Sequence, residues 1–277
     1  MFCSGIADEA GSPIDVQIKA HQDLGWKHIE VRNVDGVSLT DLCDEVFEEV
    51  AGKLADAGIG VSDFASQLCN WARPISKHPD IDCQELARAI PRMQELGCRF
   101  IRTMSYPNAG WPEKKWRDEA IARLKVLARM AEEGDIVLVH ENCDGWAGQG
   151  PKQTLELIEK VGSPSLKLVW DTGNPVAHGQ DPWKFYQAVR EHVVYVHVKD
   201  CVMEEGKVRY TFPGEGGGRV RDVAADLLSR GYTGGFSIEP HLAAIVHEGK
   251  QASAENSAFS LYVEYGRRLM KLLDELG

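Results

Sequence analysis

Eight times along this chain a short β-rich run is followed by an amphipathic segment, and that alternation restricts the fold more than any other feature. The runs are FCSGIAD (2–8), HIEVR (28–32), IGVSDFAS (59–66), RFIRTMSY (99–106), DIVLVHEN (135–142), LKLVWD (166–171), VVYVHVKD (193–200) and GGFSIEP (234–240). Helical patterns follow them near 13–24, 38–58, 80–96, 112–133, 151–161, 181–191, 219–230 and 254–275. In the second of these, Leu42, Val46, Val50 and Leu54 recur at four-residue intervals, which predicts one buried stripe. Several helices close on a glycine, as in DLGWKHIEV and SRGYTGGFSI, a common C-terminal stop. Eight such units predict an α/β fold, a single (β/α)8 TIM barrel occupying residues 1–277. A doubly wound open sheet is the rival, but the glycine fingerprint of a dinucleotide-binding fold does not follow the first strand. No linker, low-complexity tract or shift in composition marks a second domain.

The charge balance narrows the partners. With 42 acidic and 31 basic residues the net charge is −11, which argues against nucleic acid or an anionic membrane surface. No apolar run approaches the ~18 residues that span a bilayer. The opening MFCSGIADEA lacks the basic and apolar regions of a signal peptide. The seven cysteines are scattered, with no C-x-x-C, so reduced thiols and a cytoplasmic location are expected.

A barrel of this kind carries its chemistry at the C-terminal ends of its strands. The last four strands end in Glu141 (VLVHEN), Asp171 (LVWDTGN), His197 (YVHVKD) and Glu239 (FSIEPH). Each alone has an ordinary structural explanation: a turn-capping aspartate, a paired glutamate, a core histidine, a strand stop before proline. Together, at equivalent places on consecutive strands, they gather three carboxylates and one imidazole, which desolvation and repulsion oppose unless a cation is present. Oxygen-rich ligation with one nitrogen suits one divalent ion, Mn²⁺ or Mg²⁺, with Co²⁺ and Zn²⁺ compatible.

At these motifs the chain resembles the xylose-isomerase-like barrel superfamily, in its sugar phosphate isomerase/epimerase branch typified by ketose 3-epimerases. The shared motifs are H-E-N (140–142), W-D-T-G-N (170–174), H-V-K-D (197–200), P-G-E-G (213–216) and I-E-P-H (238–241). The resemblance implies that Glu141, Asp171, His197 and Glu239 bind the metal and that Glu141 and Glu239 also form the catalytic acid/base pair. Ketose epimerases usually carry histidine where this chain has Asn174, and an arginine soon after the ligand histidine, whereas here Arg209 lies further on. The third and fourth strands end without histidine, unlike the DNA-repair nucleases of the superfamily. The expected activity is therefore isomerisation or epimerisation of a keto-sugar or related polyol derivative through an enediolate. Elimination from a cyclic keto-sugar, as in inosose dehydratase, is the alternative, and a non-catalytic sugar-binding protein a more distant one. The resemblance also makes a homodimer or homotetramer plausible.

Other polar groups fall at the same end of the barrel. Arg32, Lys199, Asn174, Glu215 and His241 are candidates for substrate binding, with Trp111 and Trp146 as apolar walls for a sugar ring. Structural pairing of Arg32, Arg102 or Lys199 with Asp8, Glu9 or Glu30 competes with that role, and for Arg102 it is preferred. Alternation turns His140 and His241, near neighbours of ligands, to the opposite face while strand geometry persists. His241 lies beyond Pro240, where the strand can end, and so can still reach the pocket. The glycine-rich FPGEGGGRVRD (212–222) precedes a helix and invites a phosphate. It lacks P-loop lysine spacing and carries the repelling Glu215, so a flexible loop is the expectation.

Overall fold

The computed structural model describes residues 1–245, 250–251 and 255–277, with side chains described for 1–243 and 258–277. Eight parallel strands form the barrel: β1 (Phe2–Gly5), β2 (His28–Val31), β3 (Gly60–Leu68), β4 (Phe100–Ser105), β5 (Val137–Gly145), β6 (Leu166–Asp171), β7 (Val193–Val198) and β8 (Gly235–Ile238). Each pairs with its neighbour in sequence, β8 pairs with β1, and a single parallel bridge from Ile6 to Glu30 closes β1 against β2. Around them lie α1 (Ile14–Asp23), α2 (Asp44–Asp56), α3 (Asp80–Glu95), α4 (Glu113–Glu133), α5 (Pro151–Val161), α6 (Pro182–Val189), α7 (Val220–Ser229) and α8 (Glu255–Asp274). Among the described residues no helix is long and apolar enough to cross a membrane.

The expected stripe on the second helix is wrong in part. The helix begins at Asp44, so Leu42 is buried in the turn before it, and Val46 is 39% exposed. The buried face is Phe47, Val50 and Leu54, spaced three and four apart. A strict four-residue spacing drifts about 40° per step around a 3.6-residue helix, so it leaves the core-facing side. Three antiparallel strand pairs among the described residues were also not anticipated: Asn33–Val34 with Val37–Ser38 after β2, Asp200–Glu204 with Lys207–Thr211 after β7, and Ala244–Ile245 with Lys250–Gln251 after β8.

The apolar core is divided by the sheet. Two large clusters lie between the strands and the helices; the first includes Phe64, Leu86 and Leu124, the second Trp170, Phe236 and Tyr262. A third, of Val139, Val169 and Tyr195 with Phe2 and Phe100 against it, combines residues from β1, β4, β5, β6 and β7. That third cluster lies inside the barrel and makes the floor on which the polar strand ends stand.

Candidate active site

Alternation along the strands builds the site from that floor. Val139, Val169 and Tyr195 are each followed two residues later by a polar group on the same face: Glu141, Asp171 and His197. Register sets Asp171 opposite His197 and His197 opposite Ser237, so Glu239, two residues past Ser237, stands one inward position higher. One ligand-capable atom from each of Glu141, Asp171, His197 and Glu239 lies within 4.8 Å of all the others, and all four residues are buried.

Three of the four groups have one side tied to the protein and the other turned to the common centre. Glu141 Oε1 accepts from Asn174 Nδ2 at 2.9 Å. Asp171 Oδ1 accepts from the backbone N–H groups of Gly173 and Asn174 at 2.8 and 2.6 Å. His197 Nε2 bonds Glu30 Oε1 at 3.0 Å, and Glu30 Oε2 accepts from Ser237 Oγ at 2.5 Å. The remaining atoms, Glu141 Oε2, Asp171 Oδ2 and His197 Nδ1, are buried and make no hydrogen bond. Cations stand near two of them: Lys199 Nζ is 3.0 Å from Asp171 Oδ2 and Arg102 is 3.4 Å from Glu141 Oε2, in ion pairs without hydrogen-bond geometry. Buried acceptors left this way ordinarily signal a missing partner. Two carboxylate oxygens and an imidazole nitrogen, converging beside a third carboxylate, fit a divalent cation.

Glu239 is set differently, since both its oxygens face positive groups. Oε2 accepts from Lys199 Nζ at 2.8 Å, while Oε1 lies 3.4 Å from Arg32 and 3.7 Å from His241 Nε2. Arg32 is held from behind by Asp8, whose two oxygens lie 3.1 Å from its Nε. These contacts outweigh desolvation. Burial opposes ionisation of Glu239, yet Lys199, His241, His197 and Arg32 hold its carboxyl well below the usual range. Burial also opposes ionisation of Glu141, but Arg102 and His197 bring it down to about 2. At Asp171 burial wins over Lys199 and the carboxyl is pushed up to about 6. Burial and the neighbouring Glu30 together raise Asp63 well above its ordinary value, and both its oxygens lack a hydrogen bond.

Asn174, Lys199, Arg32 and His241 are thus brought to the cluster. His241 lies two residues from Glu239, which is same-face spacing, so the expectation that alternation turns it away was mistaken. Three other candidates are placed elsewhere. Glu215 is exposed and pairs with Arg268 on α8 at 2.8 Å. Trp146 is 1% exposed within the apolar cluster outside the barrel, and half-buried Trp111 packs at the edge of that cluster with Lys115 over its ring. Arg102, read as pairing with Asp8, Glu9 or Glu30, stands instead against Glu141. Asp63 was not anticipated at all, since it neighbours no motif.

The glycine-rich loop is neither free nor open to phosphate. Asp200 accepts from the N–H groups of Gly214, Gly216 and Gly218 at 2.9 Å each and from that of Cys201 at 3.0 Å. The loop's anion-binding donors are therefore filled by a carboxylate of the same chain. A Cβ at Gly216 would lie 2.3 Å from Asp200 Oδ1 and one at Gly218 2.7 Å from Thr172 O, so glycine is required for this approach. The sequence signal was available: an aspartate beginning the hairpin that leads straight into the loop.

Known proteins share these features. A 2-epi-5-epi-valiolone 7-phosphate 2-epimerase from an Actinoplanes species is 28% identical over 165 residues, 59% of this chain and 59% of its own. The inosose dehydratase of Clostridium tetani is 25% identical over 142 residues, 46% of this chain and 47% of its own. The chain thus aligns with about half to three fifths of these relatives' length. An L-ribulose 3-epimerase structure superposes with a TM-score of 0.74 at 18% identity, covering 100% of this chain and 96% of the other. A Mycobacterium smegmatis barrel solved with magnesium superposes with a TM-score of 0.70 at 20% identity, covering 98% and 97%. The sequence profile of one family matches residues 18–260, most of the barrel and all four converging side chains at its centre: the chain belongs to the xylose isomerase-like TIM barrel family.

Proposed function

We propose that this protein is a divalent-metal-dependent isomerase or epimerase acting on a keto-sugar or related polyol derivative through an enediolate. The observation that carries this reading is the convergence of unpartnered Glu141 Oε2, Asp171 Oδ2 and His197 Nδ1 beside Glu239. Those four residues would hold the ion, with Mn²⁺ the expected one, and a bound divalent ion supplies the charge that polarises a carbonyl and favours its enediolate. Glu141 and Glu239 come from β5 and from the end of β8, so they can address one carbon from two sides. Both rest ionised at neutral pH, because cationic neighbours hold both carboxyls down. Either can therefore take the α-proton and, as the acid so formed, return it or exchange it with solvent, whereas inversion requires the opposite, ionised carboxylate first to gain a proton from solvent. Asn174 keeps Glu141 oriented and Lys199 keeps Glu239 charged.

A second reading, elimination from a cyclic keto-sugar, is favoured by Lys199, whose buried ammonium beside Glu239 could donate to a departing hydroxyl, and by the likeness to inosose dehydratases. The two readings share their first half. Mn²⁺-loaded protein is incubated in D₂O with L-ribulose, D-tagatose, D-psicose, a 3-keto-D-glucoside and an inosose, with the Glu239→Gln variant alongside. Deuterium at an α-carbon that requires intact Glu239 supports enolate chemistry, and an epimer or an olefinic product then separates isomerase from lyase. No exchange across the panel overturns the reading.

A further inference from the structure

His197 brings the one nitrogen atom to the centre, and its ring is held from across the barrel. Nε2 meets Glu30 Oε1 at 3.0 Å, the only hydrogen bond of the ring among the described residues. The Tyr195 ring stands close to perpendicular to it, with centroids 6.0 Å apart. Glu30 lies on β2, whose neighbours are β1 and β3, so its contact with β7 crosses the barrel interior. Its backbone sits at the bridge to Ile6 that closes the barrel, and its Oε2 accepts from Ser237 Oγ at 2.5 Å. Glu30, His197 and Ser237 are all fully buried.

An inward carboxylate is costly where an apolar side chain could pack, and a buried ion pair adds little stability of its own. What Glu30 does to the ring explains its place. A carboxylate only accepts, so Nε2 carries a hydrogen whether the ring is neutral or an imidazolium. Turning the ring over would exchange Nε2 with Cε1 and Nδ1 with Cδ2, which loses that bond and presents carbon to the centre. We propose that Glu30 is a positioning residue for the metal site: by holding Nε2–H it keeps His197 Nδ1 aimed at the point shared with Glu141, Asp171 and Glu239. This rests on the reading that those four side chains hold a divalent ion. The grouping of Glu30, Asp63 and His197 within 4.8 Å of one another is then no second ion site, because Nε2 is already engaged by Glu30.

The test is a cycle of Mn²⁺ dissociation constants, read from the electron paramagnetic resonance signal of the free ion, with circular dichroism to show that each variant is folded. It compares wild type, Glu30→Leu, Glu30→Gln and His197→Ala, and each Glu30 variant combined with His197→Ala. Glu30→Leu should weaken binding about 10–100-fold, the usual effect of losing the partner of a metal-binding histidine. Glu30→Gln keeps a carbonyl acceptor and should lose only about fivefold, the difference between a charged and a neutral acceptor. In the His197→Ala background either substitution should change affinity less than about twofold, because the ring that Glu30 holds is gone. A merely structural role would weaken binding equally in both backgrounds. Binding within about twofold of wild type in a folded Glu30→Leu, or an equal loss in both backgrounds, overturns the positioning role. If Glu30→Leu does not fold, the same comparison with Glu30→Gln decides it: a loss that persists without the His197 ring, or no loss at all, overturns it. Absence of bound Mn²⁺ from the wild type instead overturns the metal reading itself, and the positioning role with it.

Discussion

Replacing Asp200 with asparagine should unfold the protein more easily by about 3 kcal/mol, and the structure says where that figure comes from. Oδ1 accepts from Cys201 and Gly218, and Oδ2 accepts from Gly214 and Gly216. Asparagine keeps one acceptor oxygen, which will turn to the buried Gly218 side. Its amide nitrogen then faces two further donors and satisfies neither. Two hydrogen bonds to a charged acceptor are lost, each worth about 1.5–3 kcal/mol, and water recovers part of this because Gly214 is exposed. Thr172 lies between this loop and the site, donating from Oγ1 to Lys199 O at 2.6 Å, so disorder in the loop should also weaken the exchange reaction. Urea unfolding of wild type and Asp200→Asn measures the difference. A further variant, Asp200→Gly, leaves the N–H groups facing an empty space the size of a carboxylate, and millimolar formate should raise its melting temperature more than that of the wild type. A stability within about 0.5 kcal/mol of wild type for Asp200→Asn would refute the reasoning, because that is the scale of ordinary surface substitutions.

Three other outcomes follow from buried charges. Asp171 is half protonated at about pH 6, so Mn²⁺ binding below that pH must displace a proton, and the apparent Kd should rise about fivefold from pH 6 to pH 5 by titration calorimetry. Lys199→Met removes an ammonium 3.0 Å from Asp171 Oδ2 and should tighten Mn²⁺ binding at least about tenfold; weaker binding would contradict the placement of that charge. His21 on α1 is buried, with Nδ1 2.9 Å from Gln17 O, and burial lowers its pKa from 6.5 to about 4. Its folded pKa is depressed, so its stabilising effect is complete above pH 6.5 and declines as pH falls toward 4. Between pH 7 and pH 5 it should cost the wild type about 2 kcal/mol, a slope that His21→Gln lacks in denaturation curves.

Much of this arrangement was legible in the sequence because it depends on short-range periodicity. Strands alternate with period two, and the residue closing each strand inherits the inward direction of the one two places before it, as Asp171 does from Val169. The barrel and the four converging side chains follow from that rule alone. Loops obey no such period. Glu215 looked like a site residue because it sits in a glycine-rich motif, but it reaches outward to Arg268 on α8, 53 residues away in sequence. Trp146 follows the site strand closely, yet a chain reversal after β5 turns it into the outer core. Asp63 and Glu30 face each other beneath His197 only because β2 and β3 shift register between Ile29 and Glu30, an irregularity with no sequence mark. Long-range partners such as Glu9 and His241, 232 residues apart, are fixed by barrel closure alone.

The central claim is that four strand ends hold one divalent ion, and Asp171 tests it most directly. Mn²⁺ bound per chain is measured by elemental analysis after dialysis, for wild type and for Asp171→Ala, with circular dichroism to show that both are folded. The account predicts one ion per wild-type chain and a loss of stoichiometric binding in a folded Asp171→Ala barrel. One tightly bound ion in that variant would contradict the site as drawn.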